Sequence, residues 1–299
     1  MEHGQPKIAL VTARPRPEVN VDHDMPLLHQ AVTAEGAVAT VTAWDDPEVD
    51  WSEFDLAVVR SPWDYSWRSA EFMRWVAHCS RQTRLANDPS VMNWNANKEY
   101  LRELFAANVP TVPTSYLSPG APIRLPDYNE FVVKPAVGAG ARFAARYTRR
   151  ELSTAEAHVQ RIHADGVTVM IQPYLHAIDV TGERALVFIN GGFMHAIRKR
   201  AVLAPGLRYD APRDAHPGTE PWKPSTSELG LAEQALAAVP FSQGLLYARV
   251  DMVDDSDGRP VLTELELVEP GLYLRFHPGS PTTVAKAITR AANSAQLSV

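Results

Sequence analysis

The stretch from residue 247 to residue 271 constrains this chain most, because it carries the pattern of a β-hairpin with charges on one face. Small and apolar residues alternate with charged ones on both sides of a turn that contains Asp257-Gly258. Period-two alternation around a glycine-containing turn is typical of two antiparallel strands. A turn centred there predicts two facing pairs, Asp251 with Glu264 and Arg249 with Glu266. It also predicts that Thr263, Leu265 and Leu267 share the opposite face.

The charged face of this hairpin has two interpretations. Carboxylates that face each other across a ladder repel, and a bound cation would remove that cost. Asp251, Glu264 and Glu266 have no Cys or His beside them, which suits a hard, oxygen-seeking ion such as Mg²⁺ or Mn²⁺. Taken alone, the hairpin is better explained as a half-solvated edge with a charged outer face, because charged strand faces are common. The rest of the chain has to decide between them.

Length, charge and cysteine content narrow the class of protein. A chain of 299 residues suits two or three packed lobes. A formal net charge of -6 argues against a general surface for nucleic acid or anionic membranes. Cys79 is the single cysteine, so no intrachain disulfide can form, and its helical context favours a packing role. With no membrane-spanning run and no secretory signal, we expect a cytoplasmic protein without nucleic-acid or membrane partners.

The first third of the chain alternates strands with helices. Strands are predicted at Lys7–Thr12, Val38–Val41 and Phe54–Arg60, and helices at Asp24–Ala34 and Ala70–Cys79. This alternation predicts a small parallel α/β lobe, in which ligands gather at the carboxyl ends of the strands. Arg14, Arg60 and Ser61 follow such strand ends, so they are candidates for binding a substrate carboxylate. Pairing of either arginine with a surface acid is an equal alternative.

Two basic residues and a glycine-rich turn stand out in the next segment. A helix is predicted over Asn95–Ala107, with Lys98 in its first turn, where the helix dipole disfavours a cation. A strand at Phe131–Lys134 runs into a loop that contains Gly138 and Gly140. Such loops can lie over phosphates because glycine lets the backbone N–H groups approach. The loop lacks the Walker A and Rossmann patterns, and an ordinary hairpin turn is the simpler alternative.

The remaining segment predicts further strands and a candidate lid. A strand over Val169–Leu175 ends in Gln172-Pro173-Tyr174-Leu175, and Asp179 follows on a polar loop. A hairpin is predicted from Ala185–Ile189 and Phe193–Arg200, whose end carries Arg198 and Lys199. The Pro- and Gly-rich loop 205–224 is long for a structureless connection, which suggests an active-site lid. A solvated strand end would equally explain the basic cluster.

The order of these features resembles the ATP-grasp superfamily of carboxylate–amine ligases over residues 90–280. The resemblance implies an α/β protein that is α+β in two ATP-clasping lobes, preceded by a small parallel α/β domain. The expected boundaries are 1–89 for the N-terminal domain, 90–175 for the central lobe and 176–299 for the C-terminal lobe with the metal site.

The same resemblance implies a role for each site residue. Lys98 and Lys134 would hold the ATP phosphates under the loop of Gly138 and Gly140. Adenine would be read by Gln172, Pro173 and the backbone of Tyr174 and Leu175, and the ribose by Asp179. Asp251, Glu264 and Glu266 would hold Mg²⁺ or Mn²⁺, with two ions expected. Arg249, Lys134, Arg198 and Lys199 would act on the transferring phosphoryl group. The family more often has Asn where Glu266 stands, and an inserted residue leaves Glu269 without a clear counterpart.

Three strings resemble one branch of the superfamily: Asp45-Asp46-Pro47, Arg60 to Tyr65, and Glu264 to Pro270. This glutathione-synthetase-like branch contains the O-ureido-D-serine cyclo-ligases of D-cycloserine biosynthesis. The resemblance implies that ATP activates the carboxylate of a small amino acid as an acyl phosphate, and that the substrate's own nitrogen closes a ring.

Other functions stay open on the sequence. An intermolecular amino acid–amine ligase, a small-molecule kinase and a nucleotide-binding regulator without turnover are the alternatives, and a homodimer is one option for the assembly. A serine or cysteine hydrolase is disfavoured, because G-x-S-x-G is missing and Cys79 has no partner signal.

Overall fold

A small parallel sheet begins the fold. The structure, a computed structural model, describes residues 4–16, 21–211, 214, 217–240 and 244–296. Strands β1 (Lys7–Thr12), β2 (Val38–Ala43) and β3 (Leu56–Ser61) pair in parallel in the order β2-β1-β3, with helices α1 (Met25–Ala34) and α2 (Ser69–Cys79) between and after them. The predicted α/β lobe is therefore confirmed. Cys79 is fully buried in α2, as expected for a packing residue.

A four-stranded antiparallel sheet forms the centre of the chain. Its strands are β4 (Ser115–Leu117), β5 (Glu130–Pro135), β6 (Ala145–Thr148) and β7 (Val169–Pro173), in the order β4-β7-β5-β6. Helix α5 (Leu152–Ala164) buries Ala155, Val159 and Ile162 against this sheet. The glycine-rich loop connects β5 to β6, so the hairpin and the loop predicted there are both present.

A five-stranded antiparallel sheet carries the charged hairpin. It contains β8 (Glu183–Ile189), β9 (Gly192–Lys199), β10 (Glu220–Trp222), β11 (Tyr247–Asp254) and β12 (Pro260–Glu266), in the order β10-β9-β8-β11-β12. Helix α6 (Ala177–Thr181) precedes β8, and α7 (Thr226–Ala237) packs on β11 and β12. Strand β10 lies inside the predicted lid segment 205–224, so that segment is not structureless throughout. Residues 212, 213, 215 and 216 of that segment lie outside the described residues.

The predicted register of the hairpin is confirmed, with one exception. Arg249 faces Glu266 and Asp251 faces Glu264. The ladder shifts by one residue after Asp251, and this bulge leaves Thr263 without a partner. The prediction that Thr263 shares the face of the leucines is therefore wrong: its hydroxyl donates to Glu183 at 3.3 Å, and Thr263 lines the charged side.

The single helix predicted over Asn95–Ala107 is wrong. The chain forms α3 (Pro89–Asn95) and α4 (Tyr100–Ala106), and Lys98 lies in the link between them. The Asn95 amide bonds the backbone of Leu265 and Leu267 at 2.8 Å, and the Tyr100 hydroxyl bonds Leu265 at 2.8 Å. These bonds satisfy the open edge of β12 and fix the link beside that strand. They explain why Lys98 reaches the hairpin.

The last helix joins the two ends of the chain. Helix α8 (Ser280–Gln296) packs on α1, and its Ile288 shares a core with Leu28 of α1 and Val187 of β8. Asp24, the expected cap of α1, instead accepts a hydrogen bond from the Leu274 N–H at 2.9 Å. The three domain boundaries stay predictions. Within the described ranges, every helix is too short or too polar to cross a membrane.

Candidate active site

One cavity of about 660 Å³ gathers most of the predicted site residues. Its size falls in the usual range for small-molecule sites. The glycine-rich loop, the end of β7, and the charged faces of β11 and β12 form its walls. The predicted residues that line it are Lys98, Lys134, Gly138, Gly140, Gln172, Pro173, Tyr174, Leu175, Lys199, Arg249, Asp251, Glu264 and Glu266.

Arg249 is the centre of the charge network. Its Nε donates to Asp251 Oδ1 at 2.8 Å and its Nη2 to Asp251 Oδ2 at 2.9 Å. Nη2 also bonds Glu266, and Nη1 donates to the Gly271 carbonyl at 3.2 Å. A guanidinium that bonds both oxygens of a carboxylate is held in one orientation. These bonds hold the Arg249 guanidinium in one orientation at the cavity wall.

Two lysines complete the network. Lys98 Nζ lies 3.0 Å from Glu264 Oε1 and also donates to the Gly138 carbonyl of the glycine-rich loop. Lys199 Nζ lies 3.2 Å from Glu183 Oε2 and 3.5 Å from Asp251 Oδ2. Each carboxylate of the predicted metal set thus has a cationic partner. The repulsion expected across the ladder is offset by side chains of the protein itself.

The buried charges shift one another's pKa values. Burial would raise the pKa of Asp251, but Arg249 and Lys199 outweigh it and hold that pKa below its usual value. Burial would lower the pKa of Lys98, yet Glu264 outweighs it and the pKa is raised. The pKa of Glu266, in contrast to that of Asp251, is raised above its usual value. Burial raises it, Arg249 lowers it, and repulsion from Glu264 and Asp251 raises it further.

Lys134 differs from the other cations of the cavity. No hydrogen bond or ion pair joins its ammonium to any residue in the described part of the chain. Burial, followed by the nearby Lys98, lowers its pKa, although Glu264 acts in the opposite direction. An unpaired, half-buried ammonium beside a loop of small residues suits an anionic ligand.

The end of β7 leaves one backbone donor and one acceptor for a ligand. The Gln172 amide donates to Thr114 Oγ1 at 2.8 Å, and the Tyr174 N–H donates to the Glu130 carbonyl at 3.0 Å. Gln172 and Tyr174 line the cavity, but the Gln172 amide and the Tyr174 N–H already have partners within the protein. Among the described residues, the Tyr174 carbonyl and the Leu175 N–H have no hydrogen-bond partner.

Three residues predicted to bind the substrate do not line the cavity. Arg14 is exposed and pairs with Asp46 at 3.2 Å, which is the surface pairing that the sequence left open. Arg60 is 2% exposed, and its Nη2 donates to the Pro270 carbonyl at 2.9 Å. Ser61 bonds Thr12 at 2.9 Å between hydroxyls. They lie at strand ends as expected, but of the three only Arg60 bonds the backbone next to the cavity.

Two further predicted residues also lie away from the cavity wall. Asp179 accepts a hydrogen bond from the Tyr174 hydroxyl at 2.6 Å and lies on α6, not on a loop. Arg198 points to the other face of its strand, where it pairs with Glu220 and stacks on Trp222 at 5.2 Å. Residues 198 and 199 alternate along β9, so only Lys199 can face the cavity.

Glu269 is the cavity residue whose role the sequence left open. Its side chain is 6% exposed and lines the cavity beside Gly271, with the buried Tyr65 next to it. Burial raises the pKa of Glu269 to about 7, although the neighbouring Tyr65 hydroxyl and the charge of Lys98 act against this. The inserted residue before Pro270-Gly271 was the signal in the sequence, and its meaning needed the fold.

The oxygen-only donors suit a hard divalent ion, but their oxygens are partly taken. Both Asp251 oxygens bond Arg249, while Glu264 and Glu266 each have one oxygen on a cation. No group of three metal-ligating side chains is assembled within the described residues. A metal ion would therefore have to exchange partners with Arg249 and Lys98.

The fold is the ATP-grasp fold. The structure superposes on D-alanine–D-alanine ligase from Bacillus anthracis complexed with ATP, with a TM-score of 0.67 over 99% of this chain and 100% of that one. The sequence identity is 16%, so this likeness speaks for the fold alone. The predicted fold class is confirmed.

The family follows from nearer relatives. Residues 8–87 match the family described as D-cycloserine synthetase DcsG, N-terminal domain. The cycloserine biosynthesis protein DcsG of Streptomyces lavendulae is 37% identical over 90% of this chain and 93% of that protein. The crystal structure of D-cycloserine synthetase DcsG superposes with a TM-score of 0.86 at 34% identity, covering 96% of this chain and 99% of that one. The chain belongs to the D-cycloserine synthetase family, and it is an ATP-dependent ligase.

Proposed function

We propose that this enzyme converts O-ureido-D-serine into D-cycloserine. One ATP and one water are consumed, and ADP, phosphate, CO₂ and ammonia are released. Membership of the D-cycloserine synthetase family supports the substrate. The charge network of the cavity supports the chemistry, in which ATP first converts the substrate carboxylate into an acyl phosphate.

Four of the predicted basic residues converge on one cavity, and this supports the proposal most strongly. Lys98, Lys134, Lys199 and Arg249 all line it, and Lys134 has no ion pair among the described residues. Phosphoryl transfer depends mainly on positioning and on neutralising spread-out negative charge. Lys98 and Lys134 would hold the ATP phosphates under the glycine-rich loop. Arg249 and Lys199 would stabilise the phosphoryl group in transfer.

The nucleotide base would lie at the end of β7. Adenine offers a donor and an acceptor on one edge, and the Tyr174 carbonyl with the Leu175 N–H offers the complementary pair. The apolar side chains of Val132, Ile178 and Val253 line the same cavity and would contact the ring faces. This assignment keeps the predicted backbone of Tyr174 and Leu175 and leaves the Gln172 amide on Thr114.

Asp251, Glu264 and Glu266 would hold Mg²⁺, with two ions expected when ATP is bound. The metal would add positive charge at the transferring phosphoryl group. When ATP and Mg²⁺ bind, the phosphates would take the place of the carboxylates as partners of Arg249 and Lys98. The metal would then neutralise the carboxylates that these two cations leave, so each charge would keep a partner.

Ring closure needs a dry cavity, because an acyl phosphate reacts with water. Three ring contacts hold the segments that cover the cavity. Arg142 of the glycine-rich loop stacks on Trp67 of the first lobe at 3.8 Å. Tyr209 of the predicted lid stacks on His158 at 4.2 Å and on Phe143 at 5.8 Å. The predicted lid would thus help to exclude water.

Incubation with Mg-ATP and O-ureido-D-serine, followed by mass spectrometry of the products, tests this function. We expect ADP, phosphate and D-cycloserine in equal amounts. ADP that forms only when a second amine is added would identify an intermolecular ligase. ADP with a stable phosphorylated compound and no free phosphate would identify a kinase.

A further inference from the structure

We propose that Glu269 is the catalytic base that takes the proton from the ureido nitrogen as this nitrogen attacks the acyl phosphate. This inference rests on the proposed function, because it concerns the second half of that reaction.

Among the described acids that line the cavity, Glu269 is the one without an ion pair. Asp251 lies on Arg249, Glu264 on Lys98, and Glu183 on Lys199, all at 3.2 Å or less, and Glu266 bonds Arg249. In the described part of the chain, no ion pair joins Glu269 to a cation, and its neighbour is the neutral hydroxyl of Tyr65. Its oxygens are therefore available to accept a proton from a ligand.

The backbone on both sides of Glu269 is fixed. The Tyr247 hydroxyl donates to the Val268 carbonyl at 3.1 Å, and Arg60 Nη2 donates to the Pro270 carbonyl at 2.9 Å. Arg249 Nη1 donates to the Gly271 carbonyl at 3.2 Å. Three buried donors thus hold the segment around one carboxylate. Such support positions a reacting group before the substrate arrives.

The first lobe forms the wall next to Glu269. Tyr65 is 4% exposed beside it, and Trp63, Ser66 and Trp67 of the same short segment line the cavity. The segment holds no lysine and one arginine, Arg68, whose guanidinium bonds Asp45, Asp64 and Glu71. A neutral part of the substrate, such as the ureido group, suits this wall better than the triphosphate does.

The chemistry requires a proton acceptor at this place. A ureido nitrogen is a weak nucleophile that must lose its proton when it forms the new bond. In the proposed step the N–C bond forms, the N–H proton moves to the Glu269 carboxylate, and the carbonyl electrons move to oxygen. The oxyanion then re-forms the carbonyl as the C–O bond to phosphate breaks, and phosphate leaves with the electron pair of that bond. The proton on Glu269 passes to water after product release.

The surroundings of Glu269 suit this task. Burial makes its carboxylate more basic than an exposed one, with a pKa of about 7. The charged or titratable groups that interact with it are Tyr65, Lys98, Tyr247, Arg249, Glu264 and Glu266. A base whose pKa lies near the operating pH is an efficient proton acceptor.

The test separates the two halves of the reaction. Hydroxylamine, a strong nucleophile that needs no base, captures an acyl phosphate as a hydroxamate. With Mg-ATP, O-ureido-D-serine and hydroxylamine, we expect Glu269→Gln to form ADP and hydroxamate, while ring closure falls by about 100-fold or more. Glu269→Asp should recover part of the ring closure. Exposed Glu53→Gln serves as the matched control and should behave like the wild type.

Two results would overturn the role of Glu269. One is normal ring closure in Glu269→Gln. The other is an equal loss of hydroxamate and D-cycloserine, which would mean that Glu269 acts before acyl transfer or only in folding. A wild-type enzyme that gives neither ADP nor hydroxamate with this substrate would instead overturn the proposed function, and the role of Glu269 with it.

Discussion

Arg249 and Asp251 lie two residues apart on β11 and are joined by two hydrogen bonds of 2.8 and 2.9 Å, although both side chains are buried. Removing one member of a buried ion pair leaves the other charge uncompensated, which typically costs about 3–5 kcal/mol. The pair therefore stabilises the folded protein, and in the proposed reaction Arg249 would also stabilise the phosphoryl group and Asp251 would bind the metal.

Arg249→Met should lower activity by about 100-fold or more, because a donor to the reacting phosphoryl group is lost. It should also lower stability, since Asp251 and Glu266 lose their shared partner. Added Mg²⁺ should then stabilise the variant more than the wild type. Thermal unfolding with and without Mg²⁺ measures this, and an equal shift in both proteins would argue against a metal site at these carboxylates.

Glu264→Gln should abolish ADP formation while leaving the fold intact. The Glu264 side chain is 25% exposed, and Gln has nearly the same shape, so the substitution should not disturb the packing. A metal ligand and the partner of Lys98 are lost together. Turnover and circular dichroism are the measurements. Unchanged turnover would remove Glu264 from the metal site.

Lys134→Met should separate binding from stability. The KM for ATP should rise by about 10-fold or more, because an ammonium free to bind phosphate is removed. The melting temperature should stay the same or rise, since burial lowers the pKa of Lys134 and its charge opposes folding. A lower melting temperature with unchanged KM would contradict both parts.

His195 should make the protein less stable in acid. Burial, helped by the facing His277, lowers the pKa of His195 from 6.5 to about 4. Between these pH values the unfolded chain binds a proton that the folded chain does not. Stability from this source is complete above pH 6.5 and falls as the pH drops towards 4, by about 3 kcal/mol in all.

His195→Phe keeps the ring contact with His277, which has a centroid distance of 5.3 Å, and removes the titration. Chemical unfolding of both proteins between pH 7 and pH 4 gives the comparison. The variant should lose less stability than the wild type over this range. Parallel curves would show that His195 is protonated in the folded protein.

The sequence predicted the hairpin register correctly because period-two alternation and the turn together fix which residues face each other. It could not show the bulge that brings Thr263 to the charged side, since one extra residue in a strand leaves no clear pattern. It placed Lys98 in a helix because the surrounding residues are good helix formers. Asn95 and Tyr100 instead bond the edge of β12, which is a long-range effect.

The substrate candidates do not line the cavity, and the reason is different. Strand-end position predicted that Arg60 lies near the cavity, but not that its guanidinium points to the Pro270 carbonyl. The basic cluster could not show which of Arg198 and Lys199 faces the cavity. Successive strand residues point to opposite sides, so only one of the two can do so. Asp179 was predicted from the family order, and its contacts hold Tyr174 in place instead.

In the proposed reaction, ATP activates the carboxylate of O-ureido-D-serine. The sharpest test is to label both carboxylate oxygens of the substrate with ¹⁸O and to turn it over with Mg-ATP in unlabelled water. An acyl phosphate passes one carboxylate oxygen to phosphate, so we expect one ¹⁸O in each phosphate released, with one D-cycloserine formed per phosphate. Unlabelled phosphate, formed by attack of water on ATP, would show that the carboxylate is not activated.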